Sequence, residues 1–240
     1  MKTVLYKAST RGHKNHGWLD TYHTFSFADY YDPQRIHFGT LRVLNDDVVK
    51  GGEGFGRHPH DNMEIISIPL KGALEHGDSM GNKGVIEAGD VQVMSAGTGV
   101  MHSEFNADEA NPVNFFQIWV FPKKKNVEPR YQQMKLDFLQ HKNELRQIVS
   151  PNPDDEGLWI HQDAWFSIGS FDKDAGQSYT VKQKGNGVFA MVIEGEFEVA
   201  GQKLSRRDGL GIFDTDTLTI KSDKSGSQIL IMDIPMTINA

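Results

Sequence analysis

The chain of 240 residues contains no cysteine. That absence removes disulfide frameworks, cysteine-ligated structural zinc, iron–sulfur clusters and thiol nucleophiles together. Long apolar runs are also missing. No stretch approaches the ~18 residues a membrane-spanning helix needs. The start, Met1-Lys2-Thr3-Val4-Leu5-Tyr6-Lys7, has neither the apolar segment nor the small-residue cleavage site of a secretory leader. A cytoplasmic protein without a membrane partner is the expectation. Positive charge is in deficit: 25 Lys and Arg face 32 Asp and Glu, a formal net charge of −7. This balance works against attraction to phosphate backbones and anionic lipid. The one basic run, Lys123-Lys124-Lys125, reads as a solvated loop, so direct nucleic-acid binding is not expected.

What is present is globular and β-rich. Hydrophobic residues make up 38% and charged residues 24%, values that suit a packed core rather than disorder. Short apolar, often alternating runs recur at Gly39 to Leu44, Met63 to Leu70, Val91 to Met94, Val113 to Phe121, Val188 to Ile193 and Gln228 to Asp233. Turn signals separate them at Asn45-Asp46-Asp47, Lys71-Gly72, Met80-Gly81-Asn82, Ala88-Gly89-Asp90 and Glu194-Gly195. Many short strands at this spacing predict an antiparallel sandwich or barrel.

The best boundary follows Phe121-Pro122, where Lys123 to Pro129 is polar and proline-bearing. Arg130 to Gln140 reads as a short helix or an extended connector, and Pro151 to Gly157 as a loop. The two halves rhyme: Ile68 to Glu75 resembles Met191 to Glu198 as strand, glycine turn and strand. The expected division is therefore 1–128 and 129–240, a repeated all-β unit with few short helices.

His58-Pro59-His60 and His102-Ser103-Glu104 carry the chemistry. Residues i and i+2 of a strand project to one face, roughly 6.6 Å apart. Two such strands can converge three imidazoles and a carboxylate, a nitrogen and oxygen donor set that suits Fe(II), Mn, Ni, Cu or Zn. Four protein ligands leave about two positions open on an octahedral ion, which points to catalysis more readily than to structure. The second half has no H-x-H pair.

Gly52, His58-Pro59-His60 and Glu64 resemble the first cupin motif, and His102 with Asn106 the end of the second. More narrowly, His23 to Pro33, the His58 to His60 segment and Met94 to Glu104 resemble the pirin family. The resemblance is dense in the N-terminal half and weaker beyond it. It implies a bicupin of two antiparallel β-barrel (jelly-roll) domains. The first, 1–128, would hold one divalent transition metal ion, often iron, through His58, His60, His102 and Glu104. Mn, Ni, Cu, Co or Zn are the alternatives. The second, 129–240, would be a degenerate cupin without ligands. Glu64 occupies the usual cupin carboxylate position, but in pirins Glu104 takes that role. The nearest family members resemble quercetin 2,3-dioxygenases, which open flavonols with O2 and release CO. Glu104 would then be ligand, general base or both. The alternative is a metal-bound, redox-sensing regulator that acts through a protein partner.

Other polar residues have plainer readings. Gln117 sits on a strand face with Phe115, Trp119 and Phe121. It is either a hydrogen-bond partner of a ligand or an ordinary satisfied amide. The aromatics there line a pocket or fill the core, with core packing the stronger expectation. His13, His16, His23, His37 and His76 lack an in-phase ligand partner and read as surface, turn or core histidines. His141 and His161 lie in the half without a motif. Asp46-Asp47 and Asp154-Asp155 sit beside turn residues, where carboxylates ordinarily cap backbone.

Overall fold

A computed structural model describes residues 1–136 and 138–238. In the first half the strands are β1 (Lys2–Tyr6), β2 (Gly12–Asn15), β3 (Leu19–His23), β4 (Leu41–Val49), β5 (Gly54–His60), β6 (Glu64–Lys71), β7 (Ala73–Asp78), β8 (Lys83–Glu87), β9 (Asp90–Ser95), β10 (Val100–Asn106) and β11 (Val113–Val120). The second half contains β12 (Arg130–Lys135), β13 (Leu145–Ser150), β14 (Leu158–Trp159), β15 (Trp165–Phe171), β16 (Gly176–Thr180), β17 (Asn186–Glu194), β18 (Glu196–Val199), β19 (Gln202–Ser205), β20 (Gly209–Phe213), β21 (Thr217–Ser222) and β22 (Ser227–Pro235). Among the described residues the one helical element is a 3-10 turn at Ala8–Thr10, and no helix is long and apolar enough to cross a membrane.

Each half pairs a seven-stranded sheet with a four-stranded one. The first-half orders are β12-β9-β6-β11-β4-β3-β2 and β5-β10-β7-β8. The second repeats them as β1-β20-β17-β22-β15-β13-β14 and β16-β21-β18-β19. This duplicated arrangement is the all-β bicupin. The first strand of each half is exchanged between the sheets. β1 pairs with β20, from Lys2↔Phe213 to Tyr6↔Gly209, while β12 pairs with β9, from Arg130↔Ser95 to Lys135↔Asp90. Strand pairing thus crosses the 128/129 division in both directions. Composition marks the polar Lys123 to Pro129 connector, but not the sheet edge that the next strand completes. Over Arg130 to Gln140 the connector is a strand as far as Lys135, and residue 137 lies outside the described residues.

The large sheets pack face to face. Phe116, Ile118, Ile66, Ile68, Val91 and Val93 of the first half share one apolar cluster with Phe166, Ile168, Phe189, Met191, Leu230 and Met232 of the second. Their central strands are therefore covered on both faces and read as continuous apolar runs. The period of two along β11 sends Phe116, Ile118 and Val120 to this shared core, and Phe115, Gln117 and Trp119 into the first half's own interior.

The Asn45-Asp46-Asp47 turn expectation is corrected by β4, which runs unbroken from Leu41 to Val49. Tertiary partners override the turn preference. Asp47 accepts a hydrogen bond from the Thr21 hydroxyl. Asp46, on the opposite face of the strand, ties the halves together through Arg207.

Candidate metal centre

β5 and β10 are antiparallel neighbours with His102 opposite His58 and Val100 opposite His60. Pairing at this register, together with the period of two, brings three imidazoles to one face. Ring centroids are 4.4 Å apart for His58 and His102, and 4.9 Å for both His58–His60 and His60–His102. One nitrogen from each ring lies within 4.8 Å of the other two. Leading into β10, Gly97 turns at φ +48°, where a Cβ would overlap the Val127 carbonyl; only glycine fits this turn.

Protonation and hydrogen bonding leave this cluster as lone-pair donors. His58 Nδ1–H donates to the Gly56 carbonyl at 2.8 Å, which leaves Nε2 free. His102 is 1% exposed, and neither of its ring nitrogens has a partner. Burial, then the neighbouring His58, His60 and His76 rings, push its pKa down to about 2. Burial and His58 likewise lower His60 to about 4. Three converging imidazoles, with His58 Nε2 and the His102 nitrogens left without protein partners, fit a divalent transition metal.

Glu104 is placed differently from the three histidines. It is 2% exposed and groups with His102 and His76, again with ligand atoms within 4.8 Å. It lines the same cavity as His58 and His60. Gln117 Nε2 donates to Glu104 Oε2 at 2.7 Å, so this amide is a partner of the candidate ligand. Ser67 Oγ lies 3.0 Å from Glu104 Oε1 and 3.1 Å from Gln117 Oε1. One hydroxyl proton cannot serve both acceptors. A protonated Glu104 resolves the count: Oε1–H donates to Ser67, Ser67 to Gln117 Oε1, and Gln117 back to Oε2. Burial pushes this carboxyl up to about 7, against the Ser67 and Gln117 bonds.

His76 is the residue sequence reasoning passed over. It pairs in register with Glu104 across β7 and β10, stacks on Tyr131 at 4.6 Å and is 1% exposed. Nε2–H donates to Asp78 Oδ2 at 3.2 Å, and buried Nδ1 has no partner. Its available signal was Asp78 two residues on, an in-phase carboxylate. His13 bonds Asp20, His23 bonds Asn45 and His37 bonds the Gly39 carbonyl, all outside the cluster.

A cavity of about 230 Å³ opens beside the cluster, lined by Phe27, Asn45, Asp47, Phe55, His58, His60, Glu104, Gln117 and Trp119. Phe27 and Trp119 meet edge to face at 5.3 Å, and Trp119 also packs against His60 at 4.9 Å. The corresponding strands of the second half, β16 and β21, fill their interior with Tyr179, Leu218 and Ile220. Apolar packing there takes the place of ligands.

Glu64 faces away from the cavity. It is 1% exposed and accepts from Ser95 Oγ at 2.6 Å. Burial raises its carboxyl to about 7, against the Ser95 and His161 backbone bonds and the Arg130 charge. The reference value is 4.5, so between these two pH values the folded state binds the extra proton and stability falls as pH rises. Glu64→Gln, neutral throughout, is expected to remove that share, up to roughly 3 kcal/mol over the window. Urea midpoints of both proteins from pH 4.5 to 7.5 measure it, and parallel slopes would refute it.

Comparison with known proteins identifies the family and the fold. The sequence model of the family described as Pirin matches residues 5–120, and that described as Quercetinase C-terminal cupin domain matches residues 147–234. The protein named quercetin 2,3-dioxygenase from Escherichia coli K12 is 44% identical over 96% of this chain and 98% of its own. The crystal structure of YhhW from Escherichia coli covers 100% of both chains at 41% identity and a TM-score of 0.93. Its complex with nickel(II), titled a bacterial pirin, covers 99% of this chain and 100% of its own at 41% identity and a TM-score of 0.92. With a duplicated cupin fold, a histidine cluster on β5 and β10, and relatives matched along nearly the whole chain, this protein belongs to the pirin family.

Proposed function

We propose that this protein is a metal-dependent dioxygenase that opens flavonols such as quercetin with O2 and releases CO, at a mononuclear site held by His58, His60, His102 and Glu104. The observation that carries the reading is the convergence of three imidazoles, two of them on the wall of an aromatic-lined cavity that also contains a buried carboxyl. In this reading residues 1–128 form the metal-bearing domain and 129–240 the degenerate one. Fe(II) is the first choice of ion, with Mn, Ni, Cu, Co or Zn suited to the same donors. Bound there, the ion would supply Lewis acidity that favours the deprotonated 3-hydroxyl of the substrate.

The chain's own residues supply the rest. In its ionised form Glu104 accepts the 3-hydroxyl proton on Oε1, and that proton then closes the hydrogen-bond ring with Ser67 and Gln117 described above. A carboxyl near pH 7 is matched to this exchange, because it takes and returns a proton at little cost. Phe27, Phe55 and Trp119 offer flat apolar walls to a planar substrate and keep water from it. His58, fixed by the Gly56 carbonyl, presents Nε2 in one orientation.

The test is anaerobic loading of metal-free protein with each ion in turn, followed by quercetin and a measured dose of O2. The expected result is one CO released per O2 consumed with at least one metal. Metal binding with no turnover for any ion would remove the enzymatic reading and favour the redox-sensing regulator.

A further inference from the structure

One polar row crosses the first-half sheet. His23, Asn45, Gln117, Ser67 and Gln92 are successive register partners on β3, β4, β11, β6 and β9, and all five are buried. Five polar side chains abreast in a sheet interior are costly unless each has a use. Gln117 and Ser67 serve Glu104. Asn45 has a different arrangement: His23 Nδ1–H donates to its Oδ1 at 2.8 Å, and this bond turns the Nδ2 donor toward the cavity that Asn45 lines. Two residues along the same face, Asp47 accepts from the Thr21 hydroxyl on Oδ1, which leaves Oδ2 as a second cavity-lining group. Among the described residues no hydrogen bond reaches Asn45 Nδ2 or Asp47 Oδ2. The wall formed by β4 therefore presents one amide donor and one carboxyl oxygen, an acceptor when Asp47 is ionised, held from behind by β3, beside the rings of Phe27, Phe55 and Trp119.

We propose that Asn45 and Asp47 are specificity residues that bind a ring hydroxyl of the substrate remote from the oxygen delivered to the metal, and so select hydroxylated over unsubstituted flavonols. This rests on the flavonol reading of the site. A phenolic O–H donates to Asp47 Oδ2, and a phenolic oxygen accepts from Asn45 Nδ2. An aromatic ring carrying two such hydroxyls engages both at once, with its face on the aromatic walls. A site built around hydrogen bonds to a hydroxyl discriminates against the analogue that lacks it, because its own buried polar groups are then left unpaired.

The experiment is calorimetric titration of the metal-loaded protein under nitrogen with quercetin and with 3-hydroxyflavone, which shares the metal-directed oxygen but has no other hydroxyl. Wild type is expected to bind quercetin at least about tenfold more tightly. Asp47→Leu, which keeps the branched shape but removes the acceptor, is expected to bring the ratio to within about twofold of one. Asp47→Asn keeps an oxygen for Thr21 and turns the free acceptor into a donor, so a severalfold fall is expected even if the leucine variant does not fold. Equal affinities in wild type, or a ratio unmoved in the asparagine variant, would overturn the specificity role and leave flavonol binding standing. Binding of neither compound would overturn both readings.

Discussion

Replacing His102 by leucine is expected to make the metal-free protein more stable while abolishing its stabilisation by metal. His102 is 1% exposed, and both ring nitrogens are without partners. Each unsatisfied buried polar group costs about 1–3 kcal/mol, and leucine of similar volume carries no such cost. With chelator present, the variant should therefore gain roughly 1–3 kcal/mol. Metal reverses the order. An ion at a thousand times its dissociation constant stabilises wild type by about 4.1 kcal/mol, and the variant, with one of three converging imidazoles gone, should gain almost nothing. Turnover should fall by at least about a thousandfold if the ion supplies the central electrostatic contribution. Chemical unfolding with and without each ion, alongside metal content after dialysis, reads both halves of this prediction. Stoichiometric metal retained by the variant with affinity within tenfold of wild type would show that His102 is not a ligand. On the proposed reading the stability cost at His102 is the physical form of a function-stability trade: one of its nitrogens is left unpaired for an ion.

Much of the fold and the core of the candidate site were legible because they depend on local periodicity. The two-residue spacing in His58 to His60 and His102 to Glu104 gives a shared face on any strand, and β5 and β10 supply the strands. What local pattern cannot give is register. The ladder between β10 and β5 shifts between His102 and Glu104, so the second pair does not meet its neighbour as the first does. Glu104 groups with His76 and His102 as a result. His76 was passed over because its partner in space is Glu104, far away in sequence. Asp46 and Asp47 looked like turn carboxylates for the same reason: Thr21, Arg11, Asn114 and Arg207 hold them inside a strand, and none is a sequence neighbour. Gln117 admitted two readings until Glu104 was placed 2.7 Å from its amide. The exchange of β1 and β12 was illegible altogether, because an edge strand's composition does not say which sheet it will complete.

The other large effect is expected at Asp46, where the ligand-free half reaches the wall of the reaction cavity. Asp46 Oδ2 accepts from Arg207 Nε at 2.9 Å and from Arg11 Nη1 at 3.2 Å, and Oδ1 accepts from Asn114 Nδ2 at 2.9 Å. Side-chain exposure is 3% for Arg207 and 6% for Arg11, so one carboxylate serves two buried guanidinium groups. Arg207 Nη2 also donates to Asn114 Oδ1 at 3.1 Å, which closes the network across the halves. Asp46→Ala leaves Arg11 without this carboxylate and Arg207 with only the more distant Glu194, at 3.8 Å, and breaking such a buried pair costs about 3–5 kcal/mol. Because the pair is buried, added salt should leave the loss nearly unchanged, unlike that of an exposed ion pair. The loss should also reach function, since Asp46 alternates along β4 with Asn45 and Asp47 and anchors the face opposite the cavity. Urea unfolding of wild type and Asp46→Ala at low and high salt tests the energy. A loss below about 1 kcal/mol, or one that salt abolishes, would show that the network is solvated decoration. The charge-free double variant Asp46→Leu/Arg207→Met separates charge from packing. If the penalty is chiefly an uncompensated Arg207, the double variant should be more stable than Asp46→Ala by about 1–3 kcal/mol, because the stranded cation has gone with its partner.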